Sequence, residues 1–290
     1  MEQTLKQLLD MLNLERLEVN LFRGDSPKEE RQRVFGGQVL GQALRAATHT
    51  VEGMTCHSFH SYFLRPGDPT CPIIYEVDHA RDGKSFASRR VIAIQHGKQI
   101  FNLAASFQRF EEGLEHQIEM PEAPAPESLE SDRELRKRLA EKLPAEFRDR
   151  ILRKRPYDMR PVSPNNMLRP KVQEPKQMVW FKATEEMPDD VDVNQAMLAY
   201  ISDTTLLDTC LRAHGLSFLN PKLQSASLDH AMWFYHPFKV DEWILYVQDS
   251  PKSAGGRGMN FGHFFTQDGK LVCSAAQEGL IRLHKDEAEV

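Results

Sequence analysis

The sequence predicts an α+β chain built from two copies of one unit, each an antiparallel sheet wrapped around a long helix. Two observations predict it. The stretch Ser227–Pro237 is echoed by Ser58–Pro66: each runs from a Ser through a His into aromatics and stops at Pro. Each is followed by an apolar run closing on Tyr and Val, Ile73-Ile74-Tyr75-Glu76-Val77 and Ile244-Leu245-Tyr246-Val247. The order of elements then repeats. Both halves read as one or two strands, a helix and four strands, with Pro66 matching Pro237, Tyr75 matching Tyr246 and Gly97 matching Gly269 at an offset of roughly 170 residues.

In the first half, leucines at positions 5, 8, 9, 12 and 14 predict an amphipathic helix over Thr4–Leu17. A strand follows at Val19–Arg23, then the turn Gly24-Asp25-Ser26-Pro27. Gly36-Gly37 opens a helix over Gln38–Val51, where paired glycines allow close backbone approach or unusual dihedrals. Strands are expected at Ser58–Leu64, Ile73–Ala80, Phe86–Gln95 and Gln99–Gln108, with a tight turn at Gly97. From Glu111 the chain becomes charged and Pro-rich, with little apolar periodicity, which suits a surface linker with some helix. The second half resumes with strands at Tyr157–Val162 and Gln177–Thr184 and a long helix over Asn194–Ala213. Strands follow at Ser225–Tyr235, Trp243–Gln248, Gly258–Thr266 and Lys270–Gln277, the last two joined through Asp268-Gly269. The expected division is residues 1–112, a linker over 113–155, and residues 156–290.

The 290 residues suffice for two domains with substantial cores, and 40% apolar with 27% charged residues is ordinary soluble composition. A net charge of −5 offers no basic field for nucleic acid. The basic run Arg148–Arg155 is interrupted by Asp149 and Ile151-Leu152 and is expected to be a solvated face. Cys56, Cys71, Cys210 and Cys273 form no Cys-Xaa-Xaa-Cys pair, so neither a zinc site nor a disulfide scaffold is expected, and a reduced, cytoplasmic chain fits. Met1–Lys6 lacks the pattern of a signal peptide, Asp286–Val290 carries no address motif, and no run reaches the roughly 18 apolar residues of a membrane span.

On a helical wheel, Asp203 falls within the apolar stripe of Ala196, Ala199, Tyr200, Leu206, Leu207, Cys210 and Leu211. A carboxylate there is costly unless hydrogen-bonded or used, and both a structural and a catalytic Asp fit the pattern. Ser202, Thr205, Thr209 and Arg212 fall on the opposite side, and Asp208 lies outside the stripe, where it is expected to be exposed. The helix of the first half carries no acid, so a single active site, built with help from both halves, is expected. Ser227 heads the aromatic strand and Gln277 closes the last hairpin. Singly, each reads as an ordinary sheet residue; with Asp203 they supply an acid, a hydroxyl and an amide. The chain has no Gly-Xaa-Ser-Xaa-Gly elbow, no Gly-Xaa-Gly-Xaa-Xaa-Gly and no phosphate loop. His57 and His60 would face opposite sides of a strand and make a poor metal pair.

Five segments together resemble the acyl-CoA thioesterase II family: Val34-Phe35-Gly36-Gly37-Gln38-Val39, His57 through Asp68, Ser202-Asp203, Asp229 through Phe234, and Gln277-Glu278-Gly279. The similarity spans nearly the whole chain, in the same order. The resemblance implies a double hotdog, two fused hotdog domains, and hydrolysis of acyl-CoA to a free fatty acid and CoA without a cofactor. It implies a catalytic set of Asp203, Ser227 and Gln277 acting through water, with Ser227 departing from the Thr common in bacterial relatives while keeping the hydroxyl. It also implies a homodimer or homotetramer. The CoA phosphates need cations, for which Arg65, Arg89, Arg90 and Arg257 are candidates. Two alternatives stand beside it. A hotdog hydratase would need a His–Asp dyad, and Asp208 and His214, six apart, are too widely spaced for it. A non-catalytic acyl-CoA-binding protein would have no use for the acid.

Overall fold

The structure, a computed structural model, describes residues 4–27 and 32–284. The expectations for Met1–Gln3 and for the C-terminal Asp286–Val290 lie outside the described residues. Helix α1 (Leu5–Leu12) starts where the Thr4 hydroxyl accepts from the Gln7 N–H and the Gln7 side chain returns to the Thr4 N–H, a capping box. It buries Leu5, Leu8, Met11 and Leu12, and ends earlier than the leucine pattern suggested. Leu14 is buried beyond the helix end, before strand β1 (Glu15–Glu18), which was not expected, and the strand expected over Val19–Arg23 is β2 (Leu21–Gly24). Helix α2 (Gly36–Thr48) follows, then β3 (Thr55–Phe63), β4 (Ile73–Asp82), β5 (Phe86–Gln95) and β6 (Lys98–Gln108).

Between the halves lie a single 3₁₀ turn at Pro126–Ser128, helix α3 (Asp132–Glu141) and helix α4 (Ala145–Leu152). This segment does more than cross the surface. Met120, Ala123 and Leu129 pack on Trp180, Leu245 and Phe265 as a small second core. The Trp180 indole N–H donates to the Pro124 carbonyl at 3.0 Å, satisfying a buried polar group.

The second half contains β7 (Tyr157–Pro161), β8 (Lys176–Ala183), α5 (Val191–Ser202), α6 (Asp208–Arg212), β9 (Leu223–Ser227), β10 (Asp229–Phe234), β11 (Ile244–Ala254), β12 (Arg257–Thr266) and β13 (Leu271–Leu283). Two expectations are corrected. The single helix over Asn194–Ala213 is two helices separated by turns over 203–207, and the aromatic strand is interrupted at Leu228. There the Leu228 carbonyl accepts from Phe63 N–H while its own N–H donates to the Glu278 carbonyl.

The thirteen strands among the described residues form one antiparallel sheet in the order β1-β2-β4-β5-β6-β3-β10-β13-β12-β11-β8-β7, with β9 paired to β13. Read inward from its two ends, the order is the same: β1 answers β7, β2 answers β8, and β4, β5, β6 and β3 answer β11, β12, β13 and β10. The two echoed stretches are the strands that meet at the middle, paired as Ser58 with Trp233 and Ser61 with His230.

Helix α2 packs on β2 to β6, and α6 on β8, β11 and β12. Helices α2 and α5 cross where side chains are smallest. A Cβ on Gly37 would come 2.3 Å from the Tyr200 carbonyl, and one on Gly41 would come 3.0 Å from that of Ala196. These contacts advance along α2 while retreating along α5, so the helices are antiparallel. The N-terminus of α2 therefore meets the C-terminus of α5. One continuous core spans both halves, from Leu8, Leu40 and Phe59 to Met197, Phe181 and Phe264.

Candidate active site

Asp203 is the C-cap of α5, at φ −80° and ψ 0°. It lies beside the start of α2, where Phe35 is the N-cap and offers no side-chain hydrogen bond to the free N–H groups of the first turn. The Gly37 N–H instead faces the Asp203 carboxylate and favours its ionised form, so an acid from the second half sits at the positive end of the helix of the first. A Cβ on Gly36 would stand 2.5 Å from Asp203 Oδ2. Neither glycine has positive φ, so close approach is the reason for the pair.

The other expected residues converge on the same carboxylate. Gln277, on β13, donates from Nε2 to Asp203 Oδ1 at 2.7 Å and to Ser227 Oγ at 2.8 Å. The Ser227 hydroxyl, at the end of β9, donates to Asp203 Oδ1 at 3.2 Å. Gln277 Oε1 is buried with no hydrogen-bond partner among the described residues. Burial pushes Asp203 up from the usual carboxylate range to about 6, against the pull of Gln277, Ser227, the Gly37 N–H and the positive Arg33. The group thus ionises near neutral pH, as a general base requires.

Neighbouring residues hold the three in place. Asp229 Oδ1 accepts from the Glu278 N–H at 2.6 Å, and Asn260 donates to the Gln277 carbonyl at 3.3 Å while accepting from the Cys210 N–H at 3.0 Å. His230 is fully buried; its Nε2 lies 2.9 Å from Ser202 Oγ, and burial lowers it to about 3, leaving the ring neutral. Next to the site, Val34, Phe35, Gln38, Pro69 and Tyr200, with Ser26 and Pro27, line a cleft of about 260 Å³, part of it open to solvent. Its Phe35 and Tyr200 rings meet edge to face at 5.0 Å.

Residues 25–108 match the family model described as the acyl-CoA thioesterase N-terminal domain, and residues 147–280 match the model described as acyl-CoA thioesterase. The chain is 39% identical over 283 residues to acyl-CoA thioesterase 2 of Haemophilus influenzae, covering 97% of this chain and 99% of that one. This chain belongs to the acyl-CoA thioesterase family. Its structure resembles the crystal structure of acyl-CoA thioesterase II TesB2 from Mycobacterium marinum, with TM-score 0.78, 42% identity and coverage of 96% and 99%. A protein of unknown function with a hot dog fold from Alicyclobacillus acidocaldarius, only 18% identical, superposes with TM-score 0.77 over 96% of this chain and 98% of that one. The fold is the double hotdog.

In this family member the four candidate cations fare differently. Arg89 is 2% exposed and fully engaged: it donates to Asp82 at 2.6 Å, to Thr50 Oγ1 at 2.8 Å and to the Thr50 carbonyl at 2.9 Å. It braces β5 and is not available to a phosphate. Arg65 is exposed and donates to the Gln99 carbonyl, Arg90 is exposed on β5, and Arg257 pairs with Glu278 at 2.9 Å, one residue from Gln277. Arg33 was missed. It is exposed, donates to the Ser225 carbonyl at 3.0 Å and acts on Asp203. Only its position just before Val34-Phe35-Gly36-Gly37 could have flagged it.

Asp208 is not exposed as expected: burial pushes it up to about 7, against the pull of Arg155 and Arg212. Ser202, Thr205, Thr209 and Arg212 are all buried too. Thr205 and Thr209 join Gln177 and Gln248 in a closed network, with Gln248 Nε2 donating to Thr205 Oγ1 at 2.6 Å and Thr209 Oγ1 to Gln248 Oε1 at 3.0 Å.

Proposed function

We propose that Asp203, Ser227 and Gln277 carry out hydrolysis of an acyl-CoA thioester to a free fatty acid and CoA through an activated water. The observation that carries the assignment is the convergence of an amide and a hydroxyl on one oxygen of a carboxylate raised to about 6. Ser227 and Gln277 orient the water, and the partnerless Oε1 of Gln277 is an acceptor for it. Asp203 removes a proton as the water oxygen attacks the thioester carbon. The carbonyl oxygen gains the charge beside the N-terminus of α2, where a helix start favours negative charge. Collapse breaks the carbon–sulfur bond, and the proton held by Asp203 goes to the departing thiolate. Thioesters are activated acyl groups, so no covalent acyl-enzyme is required.

The proposal extends to division of the chain at residues 1–112, 113–155 and 156–290, and to a cytoplasmic homodimer or homotetramer, which sedimentation would test. No helix among the described residues is long and apolar enough to cross a membrane. Release of free thiol from acyl-CoA tests the reaction directly. A hydratase would change enoyl absorbance without freeing thiol, and a binding protein would do neither; either result overturns the proposal.

A further inference from the structure

Away from the active site, the loop between β3 and β4 and the turn between β5 and β6 bring together three side chains of different chemistry. Asp68 Oδ2 lies 2.9 Å from His96 Nε2, and Cys71 Sγ lies 3.5 Å from the same nitrogen. The carboxylate oxygen, thiol sulfur and imidazole nitrogen all fall within 4.8 Å of one another. From ordinary zinc bond lengths, tetrahedral ligands stand about 3.4 Å apart for nitrogen and oxygen and about 3.6 Å for nitrogen and sulfur. Two of the separations are thus near those of a coordination shell, and the third lies within 4.8 Å.

The surroundings fix these groups before any ligand arrives. Gln95 is buried; its Oε1 accepts from the Asp68 N–H at 2.8 Å, and its Nε2 donates to the Asp68 and Cys71 carbonyls at 2.9 and 3.0 Å. Thr70 donates to Asp68 Oδ1 through both its N–H and its hydroxyl, leaving Oδ2 turned to His96. His96 stands at φ +50°, with Gly97 at +67°, in a two-residue hairpin turn where Asn is the favoured residue. A histidine carried there at a conformational cost is aimed at the neighbouring loop. A surface Asp–His pair alone contributes little to stability, but an adjacent thiol and buried bracing are what a metal site needs.

We propose that Asp68, Cys71 and His96 form a zinc site with a water as fourth ligand. Mixed sulfur, nitrogen and oxygen donors select zinc over magnesium or calcium. Binding would displace the Cys71 proton, so affinity rises with pH. The site tethers the loop carrying Gly67, whose carbonyl accepts from the Val34 N–H at 2.9 Å, and Pro69, a wall of the cleft. The sequence did not reveal it, since the ligands form no Cys-Xaa-Xaa-Cys pair and meet only across two turns.

The test uses untagged full-length protein stripped with chelator and titrated with cobalt, then zinc. One equivalent of cobalt should give the visible bands of a tetrahedral site with a sulfur charge-transfer band, and zinc should bleach them. Zinc should also protect one thiol from a thiol reagent in the native protein, since Cys71 is the one cysteine of the four that is not buried. Cys71→Ser and His96→Asn should each weaken binding at least tenfold, the latter with its turn intact. Absence of the bands with the thiol still reactive, or bands unchanged in Cys71→Ser, would overturn the proposal.

Discussion

Replacing Asp203 by Asn should change activity and the pH dependence of stability in separable ways. Loss of a general base lowers kcat/KM by about 10²- to 10⁴-fold, or roughly 3–5 kcal/mol of transition-state stabilisation. The stability effect follows from the carboxyl's rise from 3.8 to about 6 on folding. Between those values the native state holds a proton that the unfolded chain has released. The wild-type fold therefore loses stability as pH rises through that window, and this contribution is constant below and above it. Two units correspond to at most about 3 kcal/mol, reduced by the partial solvent contact that Asp203 retains. Asn also offers a weaker, uncharged acceptor to two donors, the Gln277 amide and the Ser227 hydroxyl, at a pH-independent cost of about 1–3 kcal/mol. The informative quantity is thus the change in denaturation free energy between pH 4 and pH 8. Asp208 and His230 titrate alike in both proteins, so the expected result is a difference: stability should change less favourably with rising pH in the wild type than in the variant. Thiol release from acyl-CoA reads the activity and urea melts read the stability. A folded Asn variant within tenfold of wild-type activity would refute the catalytic assignment. Identical pH slopes would refute the raised carboxyl.

In the wild type, kcat/KM should drop about tenfold per pH unit below roughly 6 as Asp203 takes up its proton, a limb that a rate profile would reveal. Ser227→Ala should cost about 10- to 100-fold in kcat, the scale of one hydrogen bond to a charged group, while Ser227→Thr keeps the hydroxyl and should stay near wild type in the same assay. Gly37→Ala should destabilise by about 1–3 kcal/mol in urea melts, because its Cβ would meet the Tyr200 carbonyl at 2.3 Å and the Phe35 ring at 2.5 Å.

The duplication was legible because strand spacing and the aromatic motif survive in both halves. Asp203 stood out as a candidate because a carboxylate in an apolar stripe is costly. The break directly after it was not. A helical wheel assumes the helix continues, and here α5 stops where its last residues reach the start of α2. The wheel also equated polar with exposed. Ser202, Thr205 and Thr209 are buried because His230, Gln177 and Gln248 from other elements satisfy them, a tertiary fact invisible to local pattern. Arg89 misled for the same reason: nothing local distinguishes a buried guanidinium held by Asp82 and Thr50 from a solvated one. Gly36 and Gly37 were recognised as a helix start, but that the missing side chain of Gly36 makes room for an acid 167 positions further on, and that of Gly37 for the Tyr200 carbonyl, required the fold.

The pairing of β3 with β10 bears on association between chains. A sheet from either half alone would end on one of these strands, each presenting a row of unsatisfied N–H and C=O groups ready to recruit a neighbour. Within the fused chain each seals the other. The outer margins that remain are poor templates. Strand β1 is four exposed residues, three of them charged, and β7 is five residues with Asp158, Arg160 and a terminal Pro161. Tandem fusion thus hides the two most adhesive strands in the middle of the molecule, and a chain severed between its halves should aggregate edge to edge unless the halves find one another first.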